Sequence, residues 1–300
     1  GQGVDILYRS EGLLGQLMVV DLTGEFTGPR NTHRVLFVNR TAQTWIDRDT
    51  GQPVWDYVRF INTLASIKSP GSRALVLGLG GGTIAADLQD LGYTVDSVEL
   101  DARIAEVARH YFGLELNGRL FVDDGRHFLE AGESRYDLIL FDVYQAEVPP
   151  VHLLTREAFE RAARRLSPGG MIVVNYSGYW SGSAGRGARS IFRTLKAAGL
   201  EVNLMPTGAD EHTRNNLFIA SPDPVNFDQT RRALIIGGRQ RSVPSQFQPV
   251  PPEVLEDALV LVDDRPILDQ LNLEPAARWR ETYYTYFTKP FRDQGVPLFQ

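Results

Sequence analysis

Apolar and polar positions alternate in short bursts over the first fifty residues. Asp5–Arg9, Gln16–Leu22, Arg34–Asn39 and Thr41–Ile46 read as strands, separated by turn signals at Glu11-Gly12, Thr23-Gly24 and Thr27-Gly28-Pro29. They predict a small antiparallel β domain over residues 1–52. A unit of that size buries too little to stand alone, so it should pack on the downstream residues or on a second subunit. From Pro53 the spacing becomes helical, with Val54, Val58, Ile61, Leu64 and Ile67 on one face. Continuous apolar runs then alternate with helical ones. Strands are expected at Ala74–Leu77, Val95–Leu100, Arg119–Asp123, Tyr136–Asp142, Met171–Tyr176, Glu201–Met205 and Asn216–Ala220. Helices are expected at Thr83–Leu91, Ala102–Phe112, Thr155–Leu166 (closed by Ser167-Pro168-Gly169-Gly170) and Ser190–Ala198, with a Gly/Ser-rich segment at Ser181–Arg186. The alternation predicts an α/β, doubly wound sheet over residues 53–222, ending in an antiparallel hairpin because no helix separates its last two strands.

The pattern weakens over the C-terminal extension, residues 223–300. Asp228–Ile236 has helical spacing, and Arg239–Pro252 reads as a loop. Tyr283, Tyr284, Tyr286 and Phe287 concentrate aromatic surface that should dock on the body of the protein.

Composition narrows the function classes. The net charge of −6 argues against a nucleic-acid surface, and the absence of cysteine excludes disulfide and thiolate chemistry. The histidines show no paired metal-ligand spacing, so no metal is expected. No apolar run approaches the roughly 18–20 residues of a membrane span.

The chemistry concentrates in Arg73–Leu100. A buried strand runs into Gly78-Leu79-Gly80-Gly81-Gly82, a helix comes next, and the second strand ends in Glu99. Ligands of open α/β sheets lie across the carboxyl ends of the strands, where an acid meets ribose hydroxyls. The unit therefore reads as nucleoside-binding, with Thr83 in place of the last glycine of a dinucleotide fingerprint. The turn is closer to that of S-adenosylmethionine-type folds, a methyltransferase-like, Rossmann-type sheet.

Over about residues 5–222 the chain resembles the spermidine synthase (polyamine aminopropyltransferase) family. The landmarks are Gly15-Gln16, Thr41-Ala42-Gln43, GLGGGT at 78–83, VELD at 98–101, DDG at 123–125 and Phe141-Asp142. The stretch from Asp142 to Phe159, NNLFIASP and LVDDRP are most similar to a branch fused to a membrane-embedded segment. The resemblance implies decarboxylated S-adenosylmethionine, or S-adenosylmethionine, as co-substrate rather than a resident cofactor, and a small amine as acceptor. It also implies a homodimer or higher oligomer in the cytoplasm, or the soluble part of an inner-membrane protein. Glu99 would hold the ribose and Asp124 the adenine amine; Gly78, Gly80, Gly82 and Gly125 would admit the nucleoside, and Gln43 would face it. Asp124 is equally suited to capping a helix that starts near Arg126.

Two family positions differ. The Asp usual within the glycine turn is Gly81, and the second Asp of the loop after the fourth sheet strand, which deprotonates the amine, is Gln145. Amine attack on a carbon beside a sulfonium requires the ammonium to lose a proton first. Asp142 and Glu147 are the nearby acids, so Asp142, Gln145 and Glu147 form the candidate catalytic set. Tyr57, Tyr144 and Trp180 are candidate substrate walls, and His152 is either a substrate contact or a helix-entry residue. Methyl transfer from S-adenosylmethionine and non-catalytic nucleoside or polyamine binding are the competing readings.

Overall fold

The computed structural model describes residues 3–24, 27–143 and 150–293. The first four strands, β1 (Val4–Gly12), β2 (Gly15–Gly24), β3 (Gly28–Val38) and β4 (Thr41–Asp47), form an antiparallel sheet in sequence order. The apolar run of β2 is buried on both faces. Leu17 and Val19 join the core shared with the rest of the protein, while Met18, Val20 and Leu22 pack with Val35, Phe37 and Phe291. Phe291 comes from the far C-terminus. The sheet therefore packs on one side into the core shared with the α/β sheet and on the other against Phe291 near the C-terminus.

After α1 (Asp56–Ala65) the chain builds β5 (Arg73–Leu77), α2 (Thr83–Asp90), β6 (Thr94–Glu99), α3 (Ala102–Phe112), β7 (Leu120–Val122), α4 (Gly125–Ala131) and β8 (Tyr136–Phe141). It continues with α5 (Arg156–Arg164), β9 (Leu166–Ser177), α6 (Arg186–Ala197), β10 (Glu201–Pro206) and β11 (Asn215–Ser221). The strand order is β10-β11-β9-β8-β5-β6-β7, parallel except that β11 is antiparallel to both neighbours. This is the expected methyltransferase-like α/β sheet. The order reverses between β5 and β8, and a crevice opens there at the strands' carboxyl ends.

Three expected elements differ. Ser167-Pro168-Gly169-Gly170 does not end a helix; it is the irregular start of β9, where the register against β8 shifts. Helix α6 begins at Arg186, four residues before Ser190, because the Gly/Ser segment forms a 3-10 turn over Ser183–Gly185 that leads straight into it. Asp228–Ile236 is not a helix. After a 3-10 turn at Phe227–Gln229, β12 (Leu234–Ile236) pairs with β13 (Arg239–Arg241). Gly237 and Gly238 both take positive φ, the geometry of a tight hairpin turn, and this local preference outweighs the helical spacing.

The C-terminal extension wraps back over the sheet ends. Short α7 (Leu268–Leu271) leads into α8 (Leu273–Tyr283), and α9 (Lys289–Asp293) carries Phe291. The Tyr283 hydroxyl accepts from the Ala42 N–H at 3.1 Å and donates to the Arg40 carbonyl at 3.2 Å, pinning α8 to the β3–β4 turn.

Candidate active site

A cavity of about 480 Å³ lies across the ends of β5, β6 and β8, with residues of β4 and α8 in its lining. Glu99 is 8% exposed and faces it. Its Oε2 accepts from the Leu79 N–H at 3.0 Å and its Oε1 from the Asp101 N–H at 2.9 Å. Burial pushes its carboxyl up, and these two donors work the other way. The Leu100 N–H also reaches this carboxyl, so of about four acceptor sites roughly one remains for a ligand.

Gly78 and Gly80 line the cavity, at φ +86° and +54°. A Cβ on Gly78 would fall 2.2 Å from the Asp142 carbonyl oxygen, and one on Gly80 2.7 Å from Thr44 Oγ1. Bare Cα atoms here let β4 and the end of β8 close on the turn, leaving the backbone side toward the cavity. Gly82 does not line the cavity. Its Cβ direction meets Leu114 Cδ2 at 2.5 Å, so the bare Cα lets Leu114 close on the turn.

Gly81 explains the missing acid of the turn. Its N–H donates to Thr44 Oγ1 at 2.7 Å, and a Cβ would lie 2.7 Å from Thr44 Cγ2 and 2.9 Å from Phe112 Cδ1. No side chain fits unless those of Thr44 and Phe112 shift. Gly81→Asp is expected to cost roughly 1–3 kcal/mol by overpacking and to add no activity; urea unfolding and a turnover assay check both.

Asp124 and Gly125 also face the cavity. Asp124 Oδ1 accepts from the N–H groups of Arg126 and His127 and caps α4, while Oδ2 meets His152 Nε2 at 2.9 Å. Burial works against ionisation, but these partners together hold its carboxyl below the usual range. The helix-capping alternative is thus realised, and an adenine amine would share Oδ2 with His152.

Asp142 also lines the cavity. Its Oδ1 accepts from Asn175 Nδ2 at 2.7 Å, and the Tyr57 hydroxyl bonds the same carboxyl. Asn175 Oδ1 in turn accepts from Asn215 Nδ2 at 2.8 Å. Burial pushes the Asp142 carboxyl up against these two hydrogen bonds. Tyr144, Gln145 and Glu147 lie outside the described residues. Trp180 is not a wall residue: it is 3% exposed and packed against Phe192 and Phe218 in the core. Gln43 and Tyr57 line the cavity.

The other lining side chains come from places that sequence reasoning did not connect. Trp55 stacks on Tyr57 at 6.1 Å and Trp279 on Tyr283 at 4.7 Å, and all four line the cavity. Tyr179 and His212 complete the wall beyond Asn175. A polar Asn175 in the otherwise apolar MIVVNYS strand is a local signal for a site; nothing local marks the α8 residues.

These features define an α/β protein with an acid-lined cavity at the carboxyl ends of its sheet strands. Residues 57–183 match the spermine/spermidine synthase domain. The chain is 30% identical over 155 residues to a probable polyamine aminopropyl transferase of Bifidobacterium longum, covering 50% of this chain and 34% of that protein. It is 33% identical over 150 residues to an N-terminal histidine N-methyltransferase of Emericella nidulans, covering 46% of this chain and 27% of that one. The chain thus spans only about a third of the length of these curated relatives. A crystal structure of a probable spermidine synthase from Corynebacterium glutamicum superposes with a TM-score of 0.60 at 22% identity, over 75% of this chain and 81% of that one, which shows the shared fold.

Proposed function

We propose that the protein transfers an aminopropyl group from decarboxylated S-adenosylmethionine to a small amine. The observation that carries this reading is the charge of the cavity. Its lining includes the carboxyl groups of Glu99, Asp123, Asp124 and Asp142, and among the described lining residues there is no lysine or arginine. A decarboxylated donor carries a sulfonium and an ammonium, both favoured there, as is a cationic amine acceptor. The carboxylate of S-adenosylmethionine would meet like charge, which disfavours methyl transfer, the reading that the N-methyltransferase relative keeps in view.

In this reading Glu99 holds the ribose, the Gly78–Gly80 backbone passes beside the sulfur, and Asp142 attracts and orients the acceptor ammonium. Tyr57 and Asn175 fix the Asp142 rotamer, so little reorganisation remains when the amine meets the carbon beside sulfur. Aromatic faces around the cavity favour the cations. Homo-oligomer formation and attachment to a membrane-embedded segment rest on the family resemblance alone; no helix among the described residues is long and apolar enough to cross a membrane.

Calorimetry with decarboxylated S-adenosylmethionine, S-adenosylmethionine and methylthioadenosine tests the reading. The decarboxylated donor is expected to bind more tightly than the carboxylated one, and mass spectrometry should show aminopropylated product with putrescine or spermidine. Preference for S-adenosylmethionine overturns the assignment.

A further inference from the structure

Asp142 attracts the ammonium from the cavity lining, hydrogen-bonded to Asn175 and Tyr57. The proton that the ammonium loses has to reach solvent before the next turnover. Farther along the same wall stands a polar pair of a different kind. Tyr179 lies two residues beyond the end of β9, which carries Asn175 and Ser177, and all three line the cavity. Tyr179 is 6% exposed, whereas His212, in the β10–β11 hairpin, is exposed. The Tyr179 hydroxyl and His212 Nδ1 are 2.9 Å apart. Both residues line the cavity. A buried hydroxyl joined to an exposed imidazole connects the interior to water through one hydrogen bond.

We propose that Tyr179 and His212 form the proton exit of the acceptor compartment, a role that rests on the aminopropyl-transfer reading. The acceptor ammonium gives a proton to Tyr179 Oη as the phenolic proton passes to His212 Nδ1. The positive charge moves from the amine to the imidazole, whose Nε2–H then releases a proton to water. The neutral amine nitrogen forms the new bond to the propyl carbon, the carbon–sulfur bond breaks, and its electron pair neutralises the sulfonium as the thioether.

The charged groups around the pair fit this direction of flow. Arg278 of α8 lies with its guanidinium carbon 5.6 Å from the Tyr179 ring centroid and hydrogen-bonds the hydroxyl, favouring any negative charge that develops on oxygen. Burial first, and then the charges of Asp210 and Glu211 on the hairpin, oppose ionisation of the Tyr179 hydroxyl, so it relays as a neutral phenol. Asp210 Oδ1 accepts the His212 backbone N–H at 2.9 Å, and Glu211 is itself paired with Arg214.

His212→Ala and Tyr179→Phe test the exit in the full chain, with decarboxylated S-adenosylmethionine and putrescine. Each is expected to lower turnover about 100-fold, the lower end of general acid–base effects. Imidazole in the buffer should restore His212→Ala but not Tyr179→Phe, and the acid limb of the turnover–pH profile should change in His212→Ala. Turnover within twofold of wild type in both variants, or a His212→Ala loss that imidazole leaves in place, overturns the proposal. Nitrogen NMR of His212 gives a readout that needs no turnover: adding putrescine to the methylthioadenosine complex should shift the Nδ1 titration in wild type and not in Tyr179→Phe. An unmoved titration overturns the exit even if the wild-type chain transfers no aminopropyl group. A wild type that transfers to no amine, with the titration moved, overturns the aminopropyl reading alone.

Discussion

Asp142→Asn is expected to reduce turnover about 100- to 10,000-fold, the range for removing a group that handles the proton or charge of the reacting atom, while the fold becomes no less stable. The carboxyl accepts from Asn175 and Tyr57 in the cavity lining, and burial raises its pKa. An Asn side chain keeps an oxygen for one of these donors and removes the ionic charge. The sign of the stability effect is set by the direction of the shift. In the unfolded chain Asp142 ionises in the ordinary carboxylate range; in the folded protein it ionises at higher pH. Its ionised form is therefore disfavoured by folding, and wild-type stability declines as pH rises from the unfolded value through the folded one, then levels off. The Asn variant lacks that decline. Urea unfolding at acid and neutral pH should find the variants alike at the acid end and Asp142→Asn at least as stable at neutral pH. A variant that loses activity and stability together at neutral pH would instead mark Asp142 as a structural brace.

Glu99→Gln is expected to weaken methylthioadenosine binding about 10- to 100-fold, the equivalent of one charge-assisted hydrogen bond of roughly 1.5–3 kcal/mol. The loss has two sources. An amide has only one oxygen, so either the Leu79 or the Asp101 N–H loses its acceptor and faces the NH₂ group. The Leu79 donor belongs to the glycine turn, and releasing it loosens the backbone that passes the ligand. The ribose also loses an ionic acceptor. Calorimetry measures the affinity and urea unfolding the stability. Unchanged affinity with lowered stability would show that Glu99 only ties the turn to β6.

Much of the architecture was legible because its determinants are local. Period-two alternation located β1 to β4, although the true strands run longer. Apolar runs of four to six residues between helical stretches located the parallel sheet. The closing hairpin was legible from the absence of a helix between Glu201–Met205 and Asn216–Ala220. The failures were also local in origin. Gly237-Gly238 made a hairpin where spacing suggested a helix, and Trp180 had the composition of a ligand wall while its ring filled the space between Phe192 and Phe218.

The sequence alone determined the order of elements, the glycine turn and the acid at the end of β6, since short-range patterning and backbone freedom set these. It also determined the family resemblance. Only the tertiary structure decided what surrounds them. Thr44 and Phe112 occupy the room that an acid at position 81 would need, Gly82 packs on Leu114, and Asp124 is committed to α4 and His152. Only folding brings Trp279 and Tyr283 to Trp55 and Tyr57, or His212 to Tyr179. Such groupings join residues tens to hundreds of positions apart. They depend on how the C-terminal helix and the β10–β11 hairpin close over the sheet ends, which no local periodicity encodes.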